Sequence, residues 1–235
     1  MTIGIIGLGR FGKLTAEYLS EYFNVVTYDI KKVPLPKNLT RVSLKEAASQ
    51  LVVVLAVPIR QMESTLQRIA SYINEGALVC DVSSVKEKPV EWMKKYLPKT
   101  TMILGTHPMF GPDTVLNGLK GNSIVLSPVR IKSKIFGHIK RELRKLGLII
   151  YEMLPTQHDR LMAETQALIH FISRGYQWRK TQRPATRSYI QVSEIFDYLL
   201  NDSKELFEDI NKFNRYARPV RQKFINSLSL FDKKF

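Results

Sequence analysis

Three segments of this 235-residue sequence carry side chains that can do chemistry together. The first is Gly105-Thr-His107-Pro-Met-Phe-Gly-Pro112. A histidine can act as acid or base near neutral pH, and Pro108 and Pro112 stiffen the chain around His107. The second is Asp81-Val-Ser83-Ser84-Val-Lys86, where the Ser84 hydroxyl can hold the His107 ring in one tautomer. The third is Val57-Pro58, at the end of the apolar run that begins at Leu51. Each segment follows a predicted strand, and ligands of open α/β sheets bind at the carboxyl ends of strands. On spacing alone, His107 is equally readable as a loop histidine with a structural hydrogen bond.

A fourth segment, Gly7-Leu8-Gly9-Arg10-Phe11-Gly12, has the G-x-G-x-x-G spacing between a short apolar run and a helical pattern. In that setting Gly7 permits the tight turn and Gly9 lets the backbone approach a pyrophosphate. Gly12 allows close packing of helix on strand, and the helix N-terminus favours the anion. Asp29 lies 17 residues beyond Gly12, at the end of the next apolar run. A carboxylate there can accept hydrogen bonds from both ribose hydroxyls and repels a 2′-phosphate, so NAD is expected over NADP. Lys31 and Lys32 weaken that preference. The plainer readings are a glycine turn without a nucleotide and an ordinary turn aspartate.

The elements that position these residues follow from periodicity. Ile3–Ile6, Val25–Tyr28, Leu51–Val57, Ala77–Asp81 and Thr101–Leu104 read as strands, with helices over 10–22, 60–72 and 87–96. Strands alternating with helices imply a parallel sheet covered on both faces. From about residue 153 only helical patterns remain, over 157–178, 186–200, 203–212 and 214–230. The expected fold class is α/β: a Rossmann-type doubly wound parallel sheet over 1–152, then a small all-helical dimerisation domain over 153–235. Apolar residues make up 44% and charged residues 24%, as in a globular protein with a core. Cys80 is the single cysteine, which excludes a disulfide framework. No run has the roughly 18–20 apolar residues of a membrane span, and the N-terminus lacks a basic leader; a reduced, cytoplasmic setting is expected. The net charge of +15 admits anionic partners. Its basic residues are scattered, no nucleic-acid-binding motif is present, and neither nucleic acid nor membrane is expected as a partner.

Ser83-Ser84-Val85-Lys86 followed by His107-Pro-Met-Phe-Gly-Pro112 resembles the prephenate/arogenate dehydrogenases of tyrosine biosynthesis. The resemblance continues through His158-Asp159-Arg160, Gln166 and His170, and is greatest to archaeal and plant-type members. It implies NAD-dependent oxidative decarboxylation of prephenate to 4-hydroxyphenylpyruvate, with no metal. By resemblance, His107 deprotonates the 4-hydroxyl, Ser84 hydrogen-bonds near it, and His170 faces the cleft as a further catalytic candidate. The cofactor would be held by Gly7 to Gly12, Asp29, Val57, Pro58 and Ser83. His158 reads as a helix-start residue and His138 as solvated.

Prephenate carries two carboxylates, so cations are needed. Arg174, Arg179, Lys180, Arg183 and Arg187 form an acid-free basic run, with Arg174 and Arg187 as substrate candidates beside Gln166. In plant-type members an acidic residue favours arogenate; alignment puts Ser127 at that position, so prephenate is expected. A β-hydroxyacid dehydrogenase would want a lysine on the first helix of the second domain, and 157–178 contains none. An NAD-sensing or nucleic-acid-binding module is the non-enzyme alternative. A helical domain this small exposes apolar faces, for example at Phe196, Leu199, Leu200, Leu206 and Phe207, so a homodimer through the helical domain is expected.

Overall fold

Continuous apolar runs such as Val52-Val-Val-Leu55 suit strands that are buried on both faces, and in the computed structural model they form one sheet. Residues 1–115, 118–177 and 184–235 are described. The basic residues Arg179, Lys180 and Arg183 lie outside the described residues. In chain order the elements are β1 (Thr2–Ile6), α1 (Arg10–Ser20), β2 (Asn24–Tyr28), β3 (Thr40–Arg41), α2 (Leu44–Ala48), β4 (Val52–Leu55) and α3 (Ile59–Ile69). There follow β5 (Leu78–Asp81), α4 (Glu87–Tyr96), β6 (Met102–Pro108), β7 (Ser123–Arg130), α5 (Ser133–Lys145) and β8 (Ile149–Glu152). The helical part comprises α6 (Pro155–Met162), a π turn over Ala163–Ala167, α7 (Leu168–Gly175), α8 (Arg187–Leu200), α9 (Lys204–Phe213) and α10 (Ala217–Asp232). The compact units divide between His158 and Asp159.

The first unit is built on an eight-stranded sheet of order β3-β2-β1-β4-β5-β6-β7-β8. All neighbours are parallel except β6 and β7, which are antiparallel. The order reverses direction at β1/β4, which is where this architecture opens its ligand crevice. Register carries one row across the sheet: Ile6 pairs with Leu55, Leu55 with Asp81, Asp81 with Gly105, and Gly105 with Ser127. Residues just beyond that row on β1, β4, β5 and β6 therefore share one edge. Alternate strand residues Ile3, Ile5, Val25 and Val54 pack with Leu8, Ala16 and Leu39 in one apolar cluster. Leu78, Leu104, Ile124 and Leu126 pack with Phe136 and Leu148 in a second.

The second unit has a small core of Ala167, Ile210 and Ala217, with Leu206 against it. Two of its helices, α8 and α9, start at side-chain caps: Thr186 accepts from Tyr189 N at 3.3 Å and Ser203 from Leu206 N at 3.1 Å. Asn214 is buried, donating to the Asp159 carbonyl at 2.7 Å and accepting from Tyr216 N at 3.0 Å.

Candidate active site

The glycine-rich turn has the conformation its spacing demands. Gly7 has φ of +102°, and a side chain there would collide with the Ala56 carbonyl. A Cβ on Gly12 would lie 2.1 Å from the Gly7 carbonyl oxygen, whereas one on Gly9 would meet nothing within 4 Å. Open space over Gly9, at the uncapped N-terminus of α1, is a cradle shaped for an anion. Leu8 N donates to Asp29 Oδ2 at 2.6 Å, and Lys31 N to Asp29 Oδ1 at 2.7 Å. The carboxylate is thus held beside the turn, with lone pairs to spare on both oxygens. Pro58 caps α3 just past β4, with Val57 before it on the same edge. Arg10 pairs with Asp113 at 2.6 Å, and the Phe11 and Phe110 rings lie 6.1 Å apart. These two contacts tie the turn to the segment that follows His107.

His107 is placed differently from the sequence expectation. It sits within β6 rather than in a loop after a strand ending at Leu104, paired in register with Val125. Antiparallel pairing with β7 extends β6 through Pro108, whose missing N–H is tolerated at a strand end. Asp81 fixes the backbone beside it. Its Oδ2 accepts from Ser83 N at 3.0 Å and from the Lys86 ammonium, and its Oδ1 accepts from Thr106 N at 3.3 Å. The Asp81 and Lys86 side chains are both 0% exposed. The Ser83 hydroxyl is buried without a hydrogen-bond partner.

The partner of the His107 ring is also not the expected one. Nδ1 lies 2.8 Å from His158 Nε2, while no hydrogen bond joins the half-buried Ser84 to His107. The His107 Nε2 is left without a hydrogen-bond partner among the described residues. Burial pushes the His107 pKa well below the ordinary histidine value, helped by the neighbouring His158 and the positive charge of Lys86. The ring is therefore neutral at pH 7, with a lone pair available. The only cysteine, Cys80, has its thiol pushed up to about 12 by burial, so it is no nucleophile.

Ser127 does not sit beside an open crevice. It is 0% exposed, and its hydroxyl donates to the Met153 carbonyl at 2.8 Å. Alignment located the strand but not the direction of the side chain. The Ser127 hydroxyl is thus engaged by the Met153 carbonyl.

In the second unit, Gln166, His170 and Arg174 recur every four residues through the π turn and α7. Gln166 Oε1, His170 Nδ1 and Arg174 Nε are all buried without hydrogen-bond partners. His170 Nε2 lies 3.7 Å from Asp202 Oδ2, and Arg174 donates through Nη2 to the Asp202 carbonyl oxygen. Burial lowers the His170 pKa; Asp202 opposes that shift and Arg174 adds to it. Arg187 is exposed in the first turn of α8. His138 is exposed on α5 beside Arg141 and Glu142.

The family profile described as "Prephenate dehydrogenase, nucleotide-binding domain" matches residues 32–151, just over half of the chain. The chain is 30% identical over 246 residues to a probable arogenate/prephenate dehydrogenase of Methanocaldococcus jannaschii, covering 96% of this chain and 55% of that one. It is 27% identical to the chloroplastic arogenate dehydrogenase 2 of Arabidopsis thaliana, covering 92% and 65%. It thus spans about half to two thirds of the length of these relatives. The fold matches the crystal structure of prephenate dehydrogenase from A. aeolicus in complex with hydroxyphenyl propionate and NAD+, with TM-score 0.77 and 20% identity over 99% of this chain and 90% of that one. No helix among the described residues is long and apolar enough to cross a membrane.

Proposed function

Because the chain belongs to the prephenate dehydrogenase family, we propose that it catalyses the NAD-dependent oxidative decarboxylation of prephenate to 4-hydroxyphenylpyruvate. Prephenate is a cyclohexadiene with a ring carboxylate, a pyruvyl side chain and a 4-hydroxyl. When bound, the nicotinamide would supply the acceptor for the hydride on the carbon bearing that hydroxyl. The protein's task is to take the hydroxyl proton while the ring carboxylate leaves as CO2 and the ring becomes aromatic. His107 Nε2 is the base in this reading. The observation that carries it is a buried, neutral imidazole at the shared strand edge, anchored through Nδ1 with Nε2 unpartnered.

The dinucleotide would lie on the Gly7–Gly12 turn with its pyrophosphate over Gly9, along Val57 and Pro58, and near the unpartnered Ser83 hydroxyl. Asp29, held by Leu8 N and Lys31 N, supports NAD over NADP, because a 2′-phosphate would meet a fixed carboxylate. Buried unpartnered atoms on Gln166, His170 and Arg174 support these three as substrate ligands. Arg187, exposed on α8, is the weaker candidate. A second reading is arogenate as substrate, favoured by the Asp202 carboxylate beside His170, which would suit an ammonium group.

A homodimer through the helical unit also belongs to this reading. Exposed apolar residues there include Ile190, Val192, Ile195 and Tyr198 on α8 and Ile225, Leu228, Leu230 and Phe231 on α10. Phe196, Leu199, Leu200, Leu206 and Phe207, picked from the sequence, are instead partly covered.

The test is formation of reduced nicotinamide with prephenate and with arogenate, using NAD or NADP, for wild type and His107→Asn. Turnover of prephenate with NAD, lost by about 100- to 10,000-fold in His107→Asn, is the expected result. Turnover of arogenate alone would favour the second reading. Normal kcat in His107→Asn would remove His107 from the chemistry.

A further inference from the structure

A hydrogen bond between two imidazoles holds one proton, and its position decides what the far nitrogen of each ring can do. His107 and His158 share such a bond, 2.8 Å long, with the rings edge to face at 74° and centroids 5.0 Å apart. Neither ring has room to turn, at 3% and 0% exposure. If His158 Nε2 donates, His107 must carry its own proton on Nε2 and cannot accept another. If His107 Nδ1 donates, His107 Nε2 is a lone pair.

We infer that His158 is the positioning residue of the site, accepting the Nδ1 proton of His107 and thereby aiming the Nε2 lone pair at the substrate hydroxyl. This rests on the reading of His107 as the base. As the hydroxyl proton moves to Nε2, His107 becomes an imidazolium and its Nδ1–H bond to His158 becomes charge-assisted and stronger. His158 keeps its own proton count throughout. The nearby ammonium of Lys86 is already engaged by Asp81, so the imidazole of His158 is the group bonded to the charged ring.

The backbone fixes this acceptor firmly. His158 lies on α6, where its N–H bonds to the Leu154 carbonyl at 3.0 Å, and Gln157 Oε1 accepts from Leu154 N at 3.0 Å. The acceptor thus rides on a closed helical turn, while Ser84 sits in a loop and does not reach the ring.

The tautomer is read directly by nitrogen NMR of the 15N-histidine-labelled full chain, without substrate. His107 protonated on Nδ1 is expected; protonation on Nε2 in the wild type would overturn the inference whatever the variants do. In parallel, kcat and KM with prephenate and NAD are measured for His158→Leu, His158→Gln and His107→Asn. His158→Leu should lose kcat by about 10- to 100-fold with little change in either KM. His158→Gln places an amide oxygen where Nε2 was and should recover most of the loss. Wild-type kcat in His158→Leu, with His107→Asn inactive, would refute the positioning role alone. Wild-type kcat in His107→Asn would refute the base reading instead. Should His158→Leu fold poorly, the wild-type spectrum and the Gln variant still decide.

Discussion

Replacing Lys86 by methionine tests whether His107, the proposed base, is held and tuned as described. Asp81 and Lys86 are both 0% exposed, so the variant leaves a carboxylate in the interior without its cation. Breaking such a pair from one side costs about 3–5 kcal/mol. Asp81 keeps the N–H groups of Ser83 and Thr106, which places the expected cost at the lower end. At roughly 2–4 °C per kcal/mol for a chain of this size, a loss of about 3 kcal/mol lowers Tm by about 6–12 °C. Asp81→Asn should do similar damage by removing the carboxylate with which the buried Lys86 ammonium pairs. The double variant should then be less unstable than the sum of the two, because neither charge remains. The same substitution has a chemical signature. Lys86 disfavours the imidazolium of His107, so its removal raises the His107 pKa and moves the acid limb of kcat/KM to higher pH. Thermal melts by circular dichroism and pH–rate profiles supply both readings. A Tm within about 2 °C of wild type, or strict additivity in the double variant, would refute the argument.

Three further outcomes are expected. Gly9→Ala should melt like wild type but bind NAD about tenfold more weakly, or 1.4 kcal/mol, since its Cβ meets nothing in the protein; Gly12→Ala, with a Cβ 2.1 Å from the Gly7 carbonyl, should lose stability, by about 1–3 kcal/mol, and calorimetric binding plus melts separate the two. His107 and His170 both have folded pKa values below the ordinary histidine value. As pH falls below about 6.5 the unfolded chain takes up protons first, so each contribution is present above that pH and lost below it, at up to about 1.36 kcal/mol per pH unit per ring; urea midpoints at pH 7.5 and 5.5 check the sign. Ser127→Asp should destabilise the protein rather than shift it toward arogenate, because the new carboxylate would be buried against a carbonyl oxygen; a normal melt with raised arogenate kcat/KM would contradict this.

The local features of the site were legible because each is written in neighbouring residues. Gly7 to Gly12 between an apolar run and a helical pattern gave the turn, and Asp29 gave the acid at the end of β2. What was missed depends on distant pairing. Pro108 reads as a break after a strand ending at Leu104, yet pairing with β7 carries the strand through His107. His158 bonds a ring 51 residues away, and no local pattern marks that contact. Lys86 looked like a loop residue of a motif, but its ammonium meets Asp81 only once the chain turns back into α4. Ser127 was found on the right strand, but whether its hydroxyl faces a ligand or the Met153 carbonyl is set by packing.

The π turn at Ala163–Ala167 bears on how this chain can change in length. A turn closed by i→i+5 bonds holds one residue more than the α turn it replaces. Deleting a single residue inside it would let the helix close as regular α, with no gap to bridge downstream. The elements after it would keep their places, but loss of Ala167 would put Gln166 out of step with His170 and Arg174, whose four-residue recurrence runs through this turn. Insertions and deletions are usually confined to loops; here a helix interior is a position where one codon can be lost with the fold kept and the row of Gln166, His170 and Arg174 broken.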